Sequence, residues 1–249
     1  MKEINQNGRE EIITKLSTHD IDILNQNAWD IRRSDLRSSW KIANDSERDS
    51  IINSYQLGIA ESSRTLGYCL WRFGDYSQSL EKSMLAIEIF RSLKNKKGEA
   101  DTLNNIGAVY MYQGDNENRL KCNLLCLQLR SEINDLEGAA GSENNVGETY
   151  MEMGNFEEAT KWFDKCLQNP NASIQISSWA KHNVGIIFHR TRQLKNSIEA
   201  FNQSLELSNS VNYEVLTIAT NLQIAIVLIE MDVFQKVLKR LNKFYEYLL

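Results

Sequence analysis

Val146-Gly147-Glu148-Thr149-Tyr150, followed by Gly154-Asn155-Phe156 and then Ala159-x-x-x-Phe163, decides the fold. A small residue has a large one three later, so both lie on one helix face. Glycine then asparagine breaks the chain seven residues after Gly147. The break ends one helix and caps the next. Phe156, Ala159, Phe163 and Cys166 return at helical spacing. The stretch therefore reads as two short antiparallel helices, A and B.

The same pattern recurs along the chain. Small anchors stand at Ala28, Gly67, Gly107, Gly147, Gly185 and Ala225, spaced by 39, 40, 40, 38 and 40 residues. Three later come Ile31, Leu70, Tyr110, Tyr150, Phe188 and Leu228. Breaks at Gly74, Gly114 and Gly154 are followed by Asp75, Asp115 and Asn155. A second glycine, at Gly58, Gly98 and Gly138, is read as the turn between hairpins. In the fifth unit the B-helix knobs are Leu194, Ile198, Phe201 and Leu205. A glycine anchor costs its helix about 1 kcal/mol, which close packing of the neighbouring helix has to offset.

At these residues the sequence resembles the tetratricopeptide repeat. The resemblance implies an all-α, right-handed α-solenoid, a superhelix of six helix hairpins, over 19–249, with 1–18 as a flexible leader. The first helix is expected near Asp20, with Ser17 and Thr18 available to cap it. The family's early tryptophan and terminal proline are absent, and the period is about 40 rather than 34. Long units with Asn-Asn-x-Gly resemble kinesin light chains, cell-polarity adaptors and the N-terminal arrays of bacterial signalling proteins.

The resemblance places the A helices on the concave face. The groove positions are then Asn25, Trp29, Arg32, Arg33, Arg64, Tyr68, Trp71 and Arg72 in the first two units. Asn104, Met111, Tyr112, Asn144, Glu148 and Met151 follow in the middle two, and His182, Ile186, His189 and Arg190 in the fifth. Two readings stay open for the arginine-aromatic cluster. Arginine forks carboxylates and stacks on rings, which suits an acidic or carboxylate-bearing partner; or the arginines pair with Asp22, Asp30, Asp35 and Glu61. The asparagines, with Asn105, Asn145 and Asn183 one position later, are equally two-sided. A side-chain amide can clamp a peptide main chain or stitch adjacent units.

Composition excludes much else. Net charge is −5 and the one proline is Pro170. An acidic chain opposes phosphate contacts, so no nucleic-acid partner is expected. There is no Gly-rich phosphate loop, and no nucleophile with a base and an orienting group, so no enzyme is read. His182 and His189 lie seven apart with no further ligand evident, and no metal or cofactor is expected. Cys69, Cys122, Cys126 and Cys166 form no C-x-x-C pair and read as reduced thiols in a cytoplasmic protein. Trp40 and Trp162 are assigned to packing between hairpins. The most apolar stretch, 215–231, is interrupted by Thr217, Thr220, Asn221, Gln223 and Glu230 and is short for a membrane span.

The expected function is a protein- or peptide-binding module, as the sensory or regulatory part of a signalling protein, or as a stand-alone regulator that sequesters a target. The last unit is apolar where earlier ones are polar, at Leu222, Ile226 and Ile229. It ends on Leu241, Phe244, Tyr245, Tyr247, Leu248 and Leu249. A helix apolar on most sides expects burial. Three readings follow: a fragment of a longer chain or a homodimer through this unit, which are preferred, or a C-terminal helix folded over its own neighbour.

Overall fold

In the computed structural model the backbone is described for residues 2–4, 10–12 and 16–248, and the side chains for residues 16–233 and 235. The chain is an all-α solenoid of helical hairpins. Contacts divide it into two compact units, Met1–Ile133 and Asn134–Leu249.

Unit 1 holds α1 (Thr18–Ile31), α2 (Leu36–Ile52), α3 (Gln56–Phe73), α4 (Tyr76–Ser92), α5 (Lys96–Gln113) and α6 (Asn116–Glu132). Consecutive helices pack in pairs, and α1, α3 and α5 also touch in turn. Where a leader is expected, β1 (Lys2–Ile4) and β2 (Glu10–Ile12) pair antiparallel, with Glu3 opposite Glu11. The rest of residues 1–15 lies outside those described. Ser17 caps α1 in a reciprocal capping box with Asp20.

Unit 2 holds α7 (Leu136–Glu152), α8 (Phe156–Gln168), α9 (Ile174–Arg190), α10 (Leu194–Ser210) and α11 (Glu214–Leu248). Here α7 touches α9, and α9 touches α11.

The anchors work by contact. A Cβ on Gly147 would stand 2.8 Å from Phe163, and one on Gly185 2.5 Å from Phe201. At Gly67 it would meet Ser83 Oγ at 2.4 Å. Each glycine thus admits the B-helix side chain sixteen positions on. Gly74, Gly114 and Gly154 end their helices at φ of 88°, 72° and 78°, and Asp75, Asp115 and Asn155 cap the next by accepting a main-chain N–H.

Two expectations are corrected. Gly58, Gly98 and Gly138 are not the turns between hairpins but lie in the first turn of α3, α5 and α7. Gly98 is there because the Phe90 ring of the preceding helix would lie 2.5 Å from any Cβ. The turns themselves close on left-handed Ser54, Lys94, Asn134 and Asn212. The sixth hairpin is instead one unbroken 35-residue helix, α11. Its break position, seven after Ala225, is Asp232, so nothing there ends the helix in the left-handed conformation.

Trp40 is 41% exposed rather than packed, and Trp162 carries Lys165 over its ring at 4.8 Å. All four cysteines are free thiols; Cys69, Cys126 and Cys166 are buried. Glu214–Val233 is long and apolar enough to cross a membrane by length and composition, with mean hydropathy 1.5.

Candidate binding groove

Buried serines that the periodicity passes over clamp the hairpins. Ser39 donates to the Ala28 carbonyl at 2.7 Å, Ser79 to Gly67 at 2.7 Å and Ser197 to Gly185 at 2.8 Å. Each reaches the carbonyl of its own anchor across the hairpin. Serine eleven or twelve after a small anchor was the available signal.

The neighbouring A helices of unit 1 enclose a cavity of about 450 Å³. Asp22, Asn25, Trp29 and Asp30 of α1, Glu61 and Arg64 of α3, and Lys97 and Asp101 of α5 line it. Three expected groove residues, Asn25, Trp29 and Arg64, therefore converge. Asn25 is itself satisfied: it donates to the Gly58 carbonyl at 3.1 Å and accepts from Ser46 at 2.7 Å.

Arg64 is 7% exposed. Its guanidinium pairs with Glu61, lies 3.7 Å from Asp101 and sits 3.9 Å from the centroid of Trp29. Asp101 also meets Lys97 at 3.0 Å and Arg130 at 3.4 Å. Burial lowers the Arg64 pKa against the pull of Glu61 and Asp101. Burial likewise raises Glu61, which the charges of Asp101 and Asp22 add to. Arg32 stacks 3.6 Å from the same Trp29 centroid and donates to its carbonyl; burial and then Arg33 push its pKa down to about 10. The expected four-arginine anchor thus reduces to two exposed arginines, Arg33 and Arg72, because Arg32 and Arg64 are committed within the fold.

From Trp29 a run of rings leads outward. Tyr68 lies edge-on 6.3 Å from Trp29, Trp71 is 5.3 Å from Tyr68, Tyr112 is 5.9 Å from Trp71, and Tyr76 stacks on Tyr112 at 6.1 Å. Arg72 donates to the Tyr68 hydroxyl at 3.0 Å and lies 5.8 Å from the Trp71 centroid. Tyr112 is 60% exposed. Tyr76 belongs to a B helix, and no A-helix register could find it.

The asparagines divide. Asn105 is buried and donates to the Arg64 carbonyl at 3.4 Å; Asn183 is buried and donates to the Asn144 side chain at 3.4 Å. These stitch neighbouring A helices. Asn104, Asn144 and Glu148 are half-buried on their A helices.

In unit 2 the expected groove histidines are engaged internally. His182 is buried, bonded through Nδ1 to Thr220 at 2.8 Å, with Trp179 edge-on at 5.6 Å. Burial holds its pKa down to about 4. His189 meets Glu230 at 3.1 Å, and Arg192 meets the same carboxylate at 2.7 Å. Arg190 meets Glu152 at 3.0 Å. Among the described residues no group of three His, Cys, Asp or Glu is placed to hold a metal.

Residues 140–168 match the tetratricopeptide repeat family. No curated protein matches the sequence. Solved structures show the fold. The apo form of RapI is 13% identical, with TM-score 0.70, over 89% of this chain and 84% of that one. A signal transduction ATPase with a tetratricopeptide repeat sensor, from Pyrococcus horikoshii, is 12% identical, with TM-score 0.70, over 91% of this chain and 36% of that one. Kinesin light chain-like repeats from Podosopora anserina are 10% identical, with TM-score 0.61, over 78% of this chain and 97% of that one.

Proposed function

We propose that this chain, a solenoid of tetratricopeptide-type repeats, holds a protein or peptide against the A helices of its N-terminal unit. The observation that carries the reading is the outer end of the aromatic run, half-buried Trp71 and exposed Tyr112 with Arg72 beside them, joined through Tyr68 to Trp29, which lines the cavity between adjacent A helices. Rigid rings with an exposed cation beside them supply contact area at low entropic cost and are enriched where proteins bind.

The partner's chemistry is mixed. A carboxylate fits against Arg72 and Arg33. It does not fit inside the cavity, where Asp22, Asp30, Glu61 and Asp101 face it. An acidic partner is therefore read at the aromatic end alone.

The role is regulatory: binding favours one arrangement of the repeats and so biases whatever is attached to them. The Pyrococcus protein's repeat sensor shares the fold and supports this reading. The alternative is a stand-alone regulator that sequesters its target. Both place the chain in the cytoplasm, and a second copy, met through α11, is among its partners. The test is to select peptides from a random display library on the immobilised chain and titrate them against wild type and R72E/Y112A. Equal affinity for both overturns the groove assignment.

A further inference from the structure

α11 has two apolar faces. Leu216, Thr220 and Val227 are fully buried against α9 and α10. On another side Val215, Ile218, Leu222, Ile226, Ile229 and Val233 are 37–69% exposed. At about 100° per residue these six fall within an arc of about 80°, centred well away from the buried face. They present on the order of 600 Å² of apolar surface, the top of the range for a monomer's largest patch and close to the ~800 Å² a partner contributes to a standard interface.

From the structure we infer that this stripe is a self-association surface, closed by the α11 of a second copy running antiparallel. The spacing is self-complementary. Reversed about position 224, Leu222 falls opposite Ile226, Ile218 opposite Ile229 and Val215 opposite Val233, each to within one residue. That is the requirement of a two-fold isologous interface. No charged residue stands between Val215 and Ile229, so the middle of the seam closes dry, while Glu214, Glu230 and Asp232 flank its ends. A membrane does not suit this helix, because the solenoid holds it. His182 bonds to Thr220 at 2.8 Å, and Glu230 meets His189 at 3.1 Å and Arg192 at 2.7 Å. Spanning a bilayer would strip α11 from these partners. The surface is separate from the groove, and the inference stands whether or not the groove binds a peptide.

The test is sedimentation of the full chain across the micromolar range. A mass twice 28.7 kDa is expected, with L222E/I229E raising the dissociation constant at least a hundredfold and leaving helicity unchanged, since both side chains are already exposed. A second measurement does not depend on that variant. In a Cys122→Ser background, oxidation of L222C mixed with I226C should give a disulfide between the two chains and little in either alone. A wild-type monomer throughout overturns the inference and leaves the stripe to a different helix or a lipid surface. A dimer indifferent to L222E/I229E overturns it too, and a disulfide formed by L222C alone overturns the antiparallel arrangement.

Discussion

Asn105 of α5 donates its side-chain amide to the main-chain carbonyl of Arg64 in α3 at 3.4 Å, tying adjacent A helices together at a buried point. That Arg64 also carries the ion pairs at the floor of the cavity. Architecture and candidate site therefore share residues, and the useful experiments separate a loss of fold from a loss of binding.

Arg64 is the structural member of the cluster. Removing it leaves the half-buried Glu61 and Asp101 with less compensation, and breaking a buried pair costs about 3–5 kcal/mol. Arg64→Ala should lower the stability of the chain by roughly 3 kcal/mol in urea denaturation. Arg72→Ala removes an exposed cation and should cost under about 0.5 kcal/mol. Equal losses would show that Arg64 is not held as described.

The anchor glycines should rank by the room around them. Gly185→Ala drives a methyl group to 2.5 Å from Phe201 and should destabilise by about 1–3 kcal/mol despite alanine's better helix propensity. Gly107→Ala meets only the Asn123 amide oxygen, at 3.0 Å, and its gain of about 1 kcal/mol in propensity should bring it near neutral. Melting of the two variants checks the order.

Acid should weaken the α9–α11 contact through His182. Its folded pKa is about 4, below about 6.5 for an unfolded histidine. The unfolded chain therefore binds the proton more readily. The stability the neutral ring contributes is fully present above about pH 6.5 and is lost as pH falls toward 4, on the order of 3 kcal/mol in all. Stability profiles of wild type and His182→Gln should converge below pH 4 and separate above 6.5. Parallel profiles would contradict the assignment.

The serine clamps predict a smaller, local effect. Ser197→Ala leaves the buried Gly185 carbonyl without that donor and should cost about 1 kcal/mol. Hydrogen exchange should report the loss in α9 and α10 and not in unit 1.

Much of the architecture was legible because the steric rule repeats. The anchors, the left-handed glycines at 74, 114 and 154 and the caps that follow them each announce themselves by residue type. The sixth unit misled because its anchor, Ala225 with Leu228 three later, continues the pattern while its break does not: Asp232 stands where glycine ended earlier helices, and α11 runs on. The second glycines misled because close packing against Phe90 and a turn ask for the same residue. The groove was harder still. Register places Arg32 and Arg64 on the inner face, but it cannot show that Trp29 and Glu61 already occupy them. Nor does a helix register reveal Tyr76, which reaches the aromatic run from a B helix.

The central claim is that the exposed aromatic end of the N-terminal unit receives a partner. Calorimetric titration of a library-selected peptide into wild type and into W71A/Y112A tests it most directly. The account predicts at least a tenfold loss of affinity in the variant with its melting temperature essentially kept. A peptide that binds both chains equally well would contradict it.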